Sequence, residues 1–218
     1  MGREAPERLS THQAAHLGRP NMQLHSNQQQ DNQSGISEMI NNLDQKTEDV
    51  IEFRELMGLP IDTGLPSEEY ELALATVAEE FIELANAETL IDKADALVDT
   101  VYTIIGLGVN YCGKLWIGQC EHLRFTIELI DRASKSLGID FDRCWNEVHR
   151  SNMSKACVGA SEVVLTQSHY AAKGVKTYTE NVNGMYVVKC LDDKNGIMRK
   201  GKALKSVNYS EADLGKFI

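Results

Sequence analysis

No run of about 18 apolar residues occurs in the chain, so the sequence predicts no membrane-spanning helix. The longest weakly charged stretch, 96–112, carries Asp99, Gly106 and Gly108, which describes a buried helix better than a lipid-facing one. No apolar segment follows a basic one at the N-terminus, so no secretory signal is expected. The cysteines (Cys112, Cys120, Cys144, Cys157 and Cys190) form no CxxC pair and are odd in number, which suits reduced thiols in a cytosolic protein. Cys112, Cys120 and His122 lack an evident fourth ligand for a zinc corner. Basic charge is also short: 22 Lys and Arg against 32 Asp and Glu leave a net charge of -10. That balance argues against a protein whose main task is gripping a nucleic acid polymer, yet it admits a nucleotide, because metal ions mask carboxylates and phosphates alike. There are no internal repeats.

What is present divides into three parts. Residues 1–34 are polar and rich in Gln, Asn and Ser, and such a segment buries too little apolar surface to offset its ordering entropy, so a disordered tail is expected. A helical domain is predicted over 35–158. Met39, Leu43, Val50, Phe53 and Met57 recur at helical spacing up to the stop Gly58-Leu59-Pro60. Further helices are predicted over 67–87, with Ser67 as N-cap, and over 89–109, 120–136 and from Asp140 or Asp142 to about Lys155. Beyond Gly159 the pattern predicts a small hairpin and an extended basic tail completing the domain, with Tyr186, Val187 and Val188 in a strand before the turn 192–196. The fold class is therefore all-α, a four- to five-helix bundle with a C-terminal appendage.

Two groups of carboxylates stand out on this frame. Glu79, Glu80 and Glu83 lie in the second helix, with Glu79 and Glu83 about 40° apart around its axis. Periodicity alone marks Leu74, Ala78, Phe81, Ile82 and Ala85 as the packed stripe, leaving the glutamates on a solvated face. Asp95 and Asp99 in the third helix shift that reading. Between Ala94 and Val109 they are the only charged residues, they share a face, and Asp suits a helix interior poorly. Two aspartates on a largely buried helix need a compensating cation, and no Lys or Arg on that helix supplies one. Hard oxygen ligands in this number suit Mg²⁺, or Mn²⁺, and Mg²⁺ shares its octahedron with substrate phosphates.

These residues resemble the all-α nucleoside triphosphate pyrophosphohydrolases, which include MazG-like proteins and phosphoribosyl-ATP pyrophosphohydrolases. Glu79, Glu80 and Glu83 match the EExxE signature. The second acidic pair is usually ExxD. Ala96 stands where that Glu would fall, and Asp95 with Asp99 gives the DALxDxxY form of the phage-type branch. VIEFRELMGLP resembles the family's opening helix, GIDFDRCWNEVHRSNMSK its last core helix, and GKALKSVNY its closing segment without the usual prolines. Together these span most of 48–216, while the stretch from about Asn110 to Ser136 is longer than the usual link.

The resemblance implies a Mg²⁺-dependent hydrolase of phosphoric anhydride bonds. Glu79, Glu80, Glu83, Asp95 and Asp99 would be the metal ligands, and a water activated by Glu80 would attack the α-phosphorus of a (deoxy)nucleoside triphosphate, for example dATP or dGTP. Lys155, a catalytic candidate, and Asn152 would meet the substrate, although an ordinary helix end reads equally well from local sequence. Lys202 and Lys205, in the basic run with Arg199 and Lys200, are candidates to fold over phosphates, or a solvated loop. Tyr102 and Trp116 could stack on a base, Tyr102 being the better fit to a packed core. A homodimer or homotetramer in the cytoplasm is expected. The rival readings are a phosphoribosyl-ATP pyrophosphohydrolase of histidine synthesis and a non-catalytic helical interaction protein. A di-iron carboxylate bundle lacks its ExxH pairs.

Overall fold

The protein is described by a computed structural model over residues 42–64, 68–193, 196 and 198–218. The polar segment 1–34, Ser67, Lys194, Asn195 and Ile197 lie outside these described residues. The described chain is mainly helical, with one two-stranded antiparallel hairpin near its C-terminus. Among the described residues no helix is long and apolar enough to cross a membrane.

The first helix, α1, covers 42–57 of the described residues and buries Leu43, Val50 and Met57, spaced seven apart, along one stripe. Gly58 ends it with φ of 63°, a left-handed conformation that costs glycine little, and the Leu59 N–H returns to the Arg54 carbonyl at 2.8 Å. The following loop donates from Asp62, Thr63 and Gly64 to the carbonyls of Val109, Asn110 and Tyr111, at 3.0, 2.7 and 2.9 Å. Those carbonyls lie in the last turn of a helix, where intrahelical partners run out, so the loop is both a connection and a cap.

α2 (Glu68–Asn86) and α3 (Leu90–Cys112) form a helical hairpin. Thr89 starts α3 with a capping box: its hydroxyl accepts from the Asp92 N–H, and the Asp92 carboxylate accepts from the Thr89 N–H, each at 3.1 Å. α3 is the central element and touches α2, α5 (Glu121–Ser136) and α6 (Phe141–Met153). A 3₁₀ turn, Gly113–Leu115, and the short α4 (Trp116–Gln119) lead from α3 into α5. Ala212, Leu214 and Phe217 of the C-terminal segment pack against the same core.

Beyond Gly159 the expectation of only strands and loops is corrected. α7 (Ala160–Ala172) comes first and packs on β1 (Val175–Val182) and β2 (Met185–Asp193) around Val163, Tyr170, Val175, Val188 and Cys190. Val163, Val164 and Thr166 read weakly as helix, but the half-buried hairpin supplies the apolar partner that propensity omits. The hairpin closes at Asn183–Gly184, where both φ values are positive (51° and 86°), as an Asn-Gly turn requires. The basic tail runs back along β2, where the Cys190 N–H donates to the Lys202 carbonyl and the Leu204 N–H to that of Val188.

Candidate functional site

The packed seam of α2 runs through Tyr70, Ala73, Val77, Glu80 and Leu84, the spacing of a helix–helix contact. The stripe that periodicity marked, Leu74, Ala78, Phe81, Ile82 and Ala85, is exposed, Ile82 at 61%. Glu80 therefore occupies a seam position facing α3, and Glu79 and Glu83 flank it at the edges.

Asp95 and Asp99 meet these glutamates from α3. Burial raises the Glu80 carboxyl to about 7, assisted by the charges of Asp99, Glu83, Asp95 and Glu79. Asp99 is also raised to about 7, first by burial and then by Asp95, with Lys155 opposing and Glu83 adding to the rise. Asp95 is raised by burial, Glu83 and Asp92. Glu80 thus feels Glu79 and Glu83 on its own helix and Asp95 and Asp99 across the α2–α3 seam. Glu83, Asp92 and Asp95 also line a cleft of about 480 Å³ beside the turn that joins α2 to α3. The Glu80 Oε2 is buried and, among the described residues, has no hydrogen-bond partner. A buried carboxylate oxygen without a donor is unstable unless a proton or a cation meets it. No three His, Cys, Asp or Glu side chains among the described residues already stand at the spacing of a bound ion. The two helices offer oxygen donors alone at this seam, the chemistry that a hard divalent cation takes. The donor set fits a hard divalent cation.

The C-terminal end of α6 faces this site. Lys155 Nζ donates to Asn152 Oδ1 at 2.6 Å and lies 5.5 Å from the centre of the Phe53 ring. Burial lowers its pKa, Asp99 and Glu80 oppose that shift, and Lys205 and Lys202 add to it. Lys155 and the two tail lysines therefore form one basic side of the site within a single chain. Lys202 lines the main cavity, whereas the Lys205 ammonium sits 4.1 Å from the Tyr209 ring centre.

Tyr102 is a core residue, 6% exposed, held between Phe53 and Trp145 and bonded through its hydroxyl to His149 Nδ1 at 3.1 Å. It lines the cavity wall but is not a free stacking platform. Trp116 is fully buried and donates to Thr47 Oγ1 at 3.0 Å, which removes it from any site. Cys112 and Cys120 have their sulfurs 3.9 Å apart as free thiols.

A cavity of about 810 Å³ adjoins the carboxylates, with Glu79 and Thr103 on one side and Arg199 and Lys202 at the tail. Its wall contains Arg54, which the sequence reading passed over. The clue was present: Arg54 stands with Val50, Phe53 and Met57 on the buried stripe of α1, where a guanidinium is out of place.

No family model and no solved structure matches the chain. It is similar to an uncharacterised protein of Acanthamoeba polyphaga mimivirus, 32% identical over 133 residues, which are 58% of this chain and 49% of that protein. The chain thus spans about half the length of the curated relative it matches.

Proposed function

We propose that the chain is a magnesium-dependent nucleotide pyrophosphohydrolase that converts a (deoxy)nucleoside triphosphate to the monophosphate and pyrophosphate. Its bundle would be of the all-α type that the EExxE and DALxDxxY resemblance implies. The observation that carries the reading is the buried Oε2 of Glu80, which has no hydrogen-bond partner among the described residues and stands among carboxylates from two facing helices. Glu79, Glu83 and Asp99, with Asp95 beside them, would hold Mg²⁺ or Mn²⁺. Once bound, the cation neutralises phosphate charge and favours in-line displacement at phosphorus.

The chain's own groups have separable tasks. Glu80, at the centre of the acidic seam with one oxygen lacking a donor among the described residues, suits the acceptance of a proton from the attacking water. Lys155 and Lys202 offset phosphate charge from the opposite side, and Asn152 orients the Lys155 ammonium through its 2.6 Å bond. The exposed stripe on α2 supports self-association, as a homodimer or homotetramer, because Leu74, Phe81 and Ile82 lie together on one helix face.

The deciding experiment incubates purified protein with Mg²⁺ and a panel of ribo- and deoxynucleoside triphosphates plus phosphoribosyl-ATP, with separate detection of pyrophosphate and orthophosphate. Pyrophosphate release from at least one triphosphate, abolished by EDTA, is the expected result. Cleavage of phosphoribosyl-ATP alone would transfer the chain to histidine synthesis. No release from any substrate would make it a non-catalytic scaffold.

A further inference from the structure

Arg54 is 8% exposed, and its Nε and Nη2 both donate to one carbonyl, that of Pro60, at 3.0 and 2.6 Å. A guanidinium carries five N–H donors in a rigid fork. Those two bonds leave the Nη1 amino group without a partner among the described residues, and Arg54 has no salt bridge there. Gly106 of α3 keeps space open beside it, since a Cβ at that position would come within 3.2 Å of Nη1. Burial lowers the guanidinium pKa to about 10. Anchoring the Pro60 turn does not explain the remaining donors, which border the cavity next to the carboxylate seam.

The cavity walls say what those donors could meet. Arg199 and Lys202 line one side and suit phosphate, while Phe53, Met57, Leu59 and Leu72 contribute apolar surface suited to the faces of a flat heterocycle. Glu79 ties the same cavity to the acidic set, so a nucleotide with its phosphates at the carboxylates would extend its base toward Arg54. An arginine fork rewards two adjacent acceptors. Guanine presents O6 and N7 side by side, whereas adenine places an amino donor next to N7. A purine also fills more of a cavity of about 810 Å³ than a pyrimidine does.

We infer that this cavity takes the base of a guanine nucleotide, with Arg54 donating to O6 and N7. The inference rests on the nucleotide reading above and narrows its substrate class.

The test needs neither metal nor phosphate. Calorimetric titration of the full chain in EDTA would compare deoxyguanosine, deoxyinosine, 7-deaza-deoxyguanosine, deoxyadenosine and deoxycytidine. Deoxyguanosine and deoxyinosine should bind alike, with the other three at least about tenfold weaker, the scale of one bidentate base contact. Arg54→Lys should flatten that preference. The 7-deaza analogue asks the same question of the unaltered protein should the variant fold poorly. Equal binding of guanine and adenine nucleosides, a preference for deoxycytidine, or no binding of any nucleoside would overturn the assignment. Pyrophosphate release without guanine preference would sink the Arg54 role alone. Guanine preference without release from any triphosphate would sink the hydrolase and leave the cavity assignment standing.

Discussion

At Glu80 and Asp99 the seam holds two carboxyls that titrate near 7, against ordinary values of 4.5 and 3.8. Between those limits the folded chain keeps protons that the unfolded chain has released. Stability therefore falls as pH rises through that window and levels off above about 7. In EDTA, the thermal midpoint should drop between about pH 5 and about pH 8, and Mg²⁺ should raise it more at the higher pH, where it need not displace protons. A midpoint that climbs across the window, or a metal effect larger in acid, would count against a shared cation site. Asp99→Asn removes one of the repelling charges. Discounted for solvent screening, that should stabilise the metal-free protein by about 1 kcal/mol at about pH 8. Pyrophosphate release should fall on the order of a hundredfold or more. A variant both less stable and fully active would refute the placement. Arg54 shows what was hard to read at this scale: its spacing marked a core position, but only the α3 wall at Gly106 shows that its fork faces a cavity.

Helix α3 illustrates how an element's sequence serves its neighbours. Gly108 looks expendable in a helix, and alanine there would gain about 1 kcal/mol in propensity. A Cβ at 108, however, would lie 2.8–2.9 Å from the ring atoms of buried Trp116. Overpacking of that kind costs about 1–3 kcal/mol, so Gly108→Ala should lower the urea midpoint on balance. An unchanged or raised midpoint would mean that α4 yields easily. α2 carries two readable stripes, and periodicity chose the exposed one. Tyr70, Ala73, Val77 and Leu84 flank Glu80 in the true seam, a face whose apolar signal a glutamate interrupts. The proposed metal site rests on that interruption, and a charge inside an apolar stripe is what amphipathicity alone misplaces. α7 was missed for the reverse reason, its β-branched residues being overruled by the hairpin they cover.

For the molecule as a whole, the exposed face of α2 predicts association. Leu74, Phe81 and Ile82 are 45%, 41% and 61% exposed, a concentration of apolar surface unusual for a lone helix face. Sedimentation should find a dimer or tetramer, and Ile82→Glu should shift it toward the monomer while preserving helicity. A monomeric parent protein would remove the assembly from the proposal. The basic tail belongs to this scale as well, since β2 carries Lys202 to the cavity through main-chain bonds whose sequence signal is slight.

Local chemistry determined the helical class, the start of α3, the span of α6 and the stop at Gly58, because caps, glycines and apolar spacing act over a few residues. The acidic pairs were also legible, since charge on an otherwise apolar helix is visible one residue at a time. Which face of α2 is packed, that α7 is a helix, that Trp116 is core and that Arg54 borders a cavity were decided by tertiary structure. Each depends on a partner distant in sequence, and burial is a property of the pair that no single segment contains.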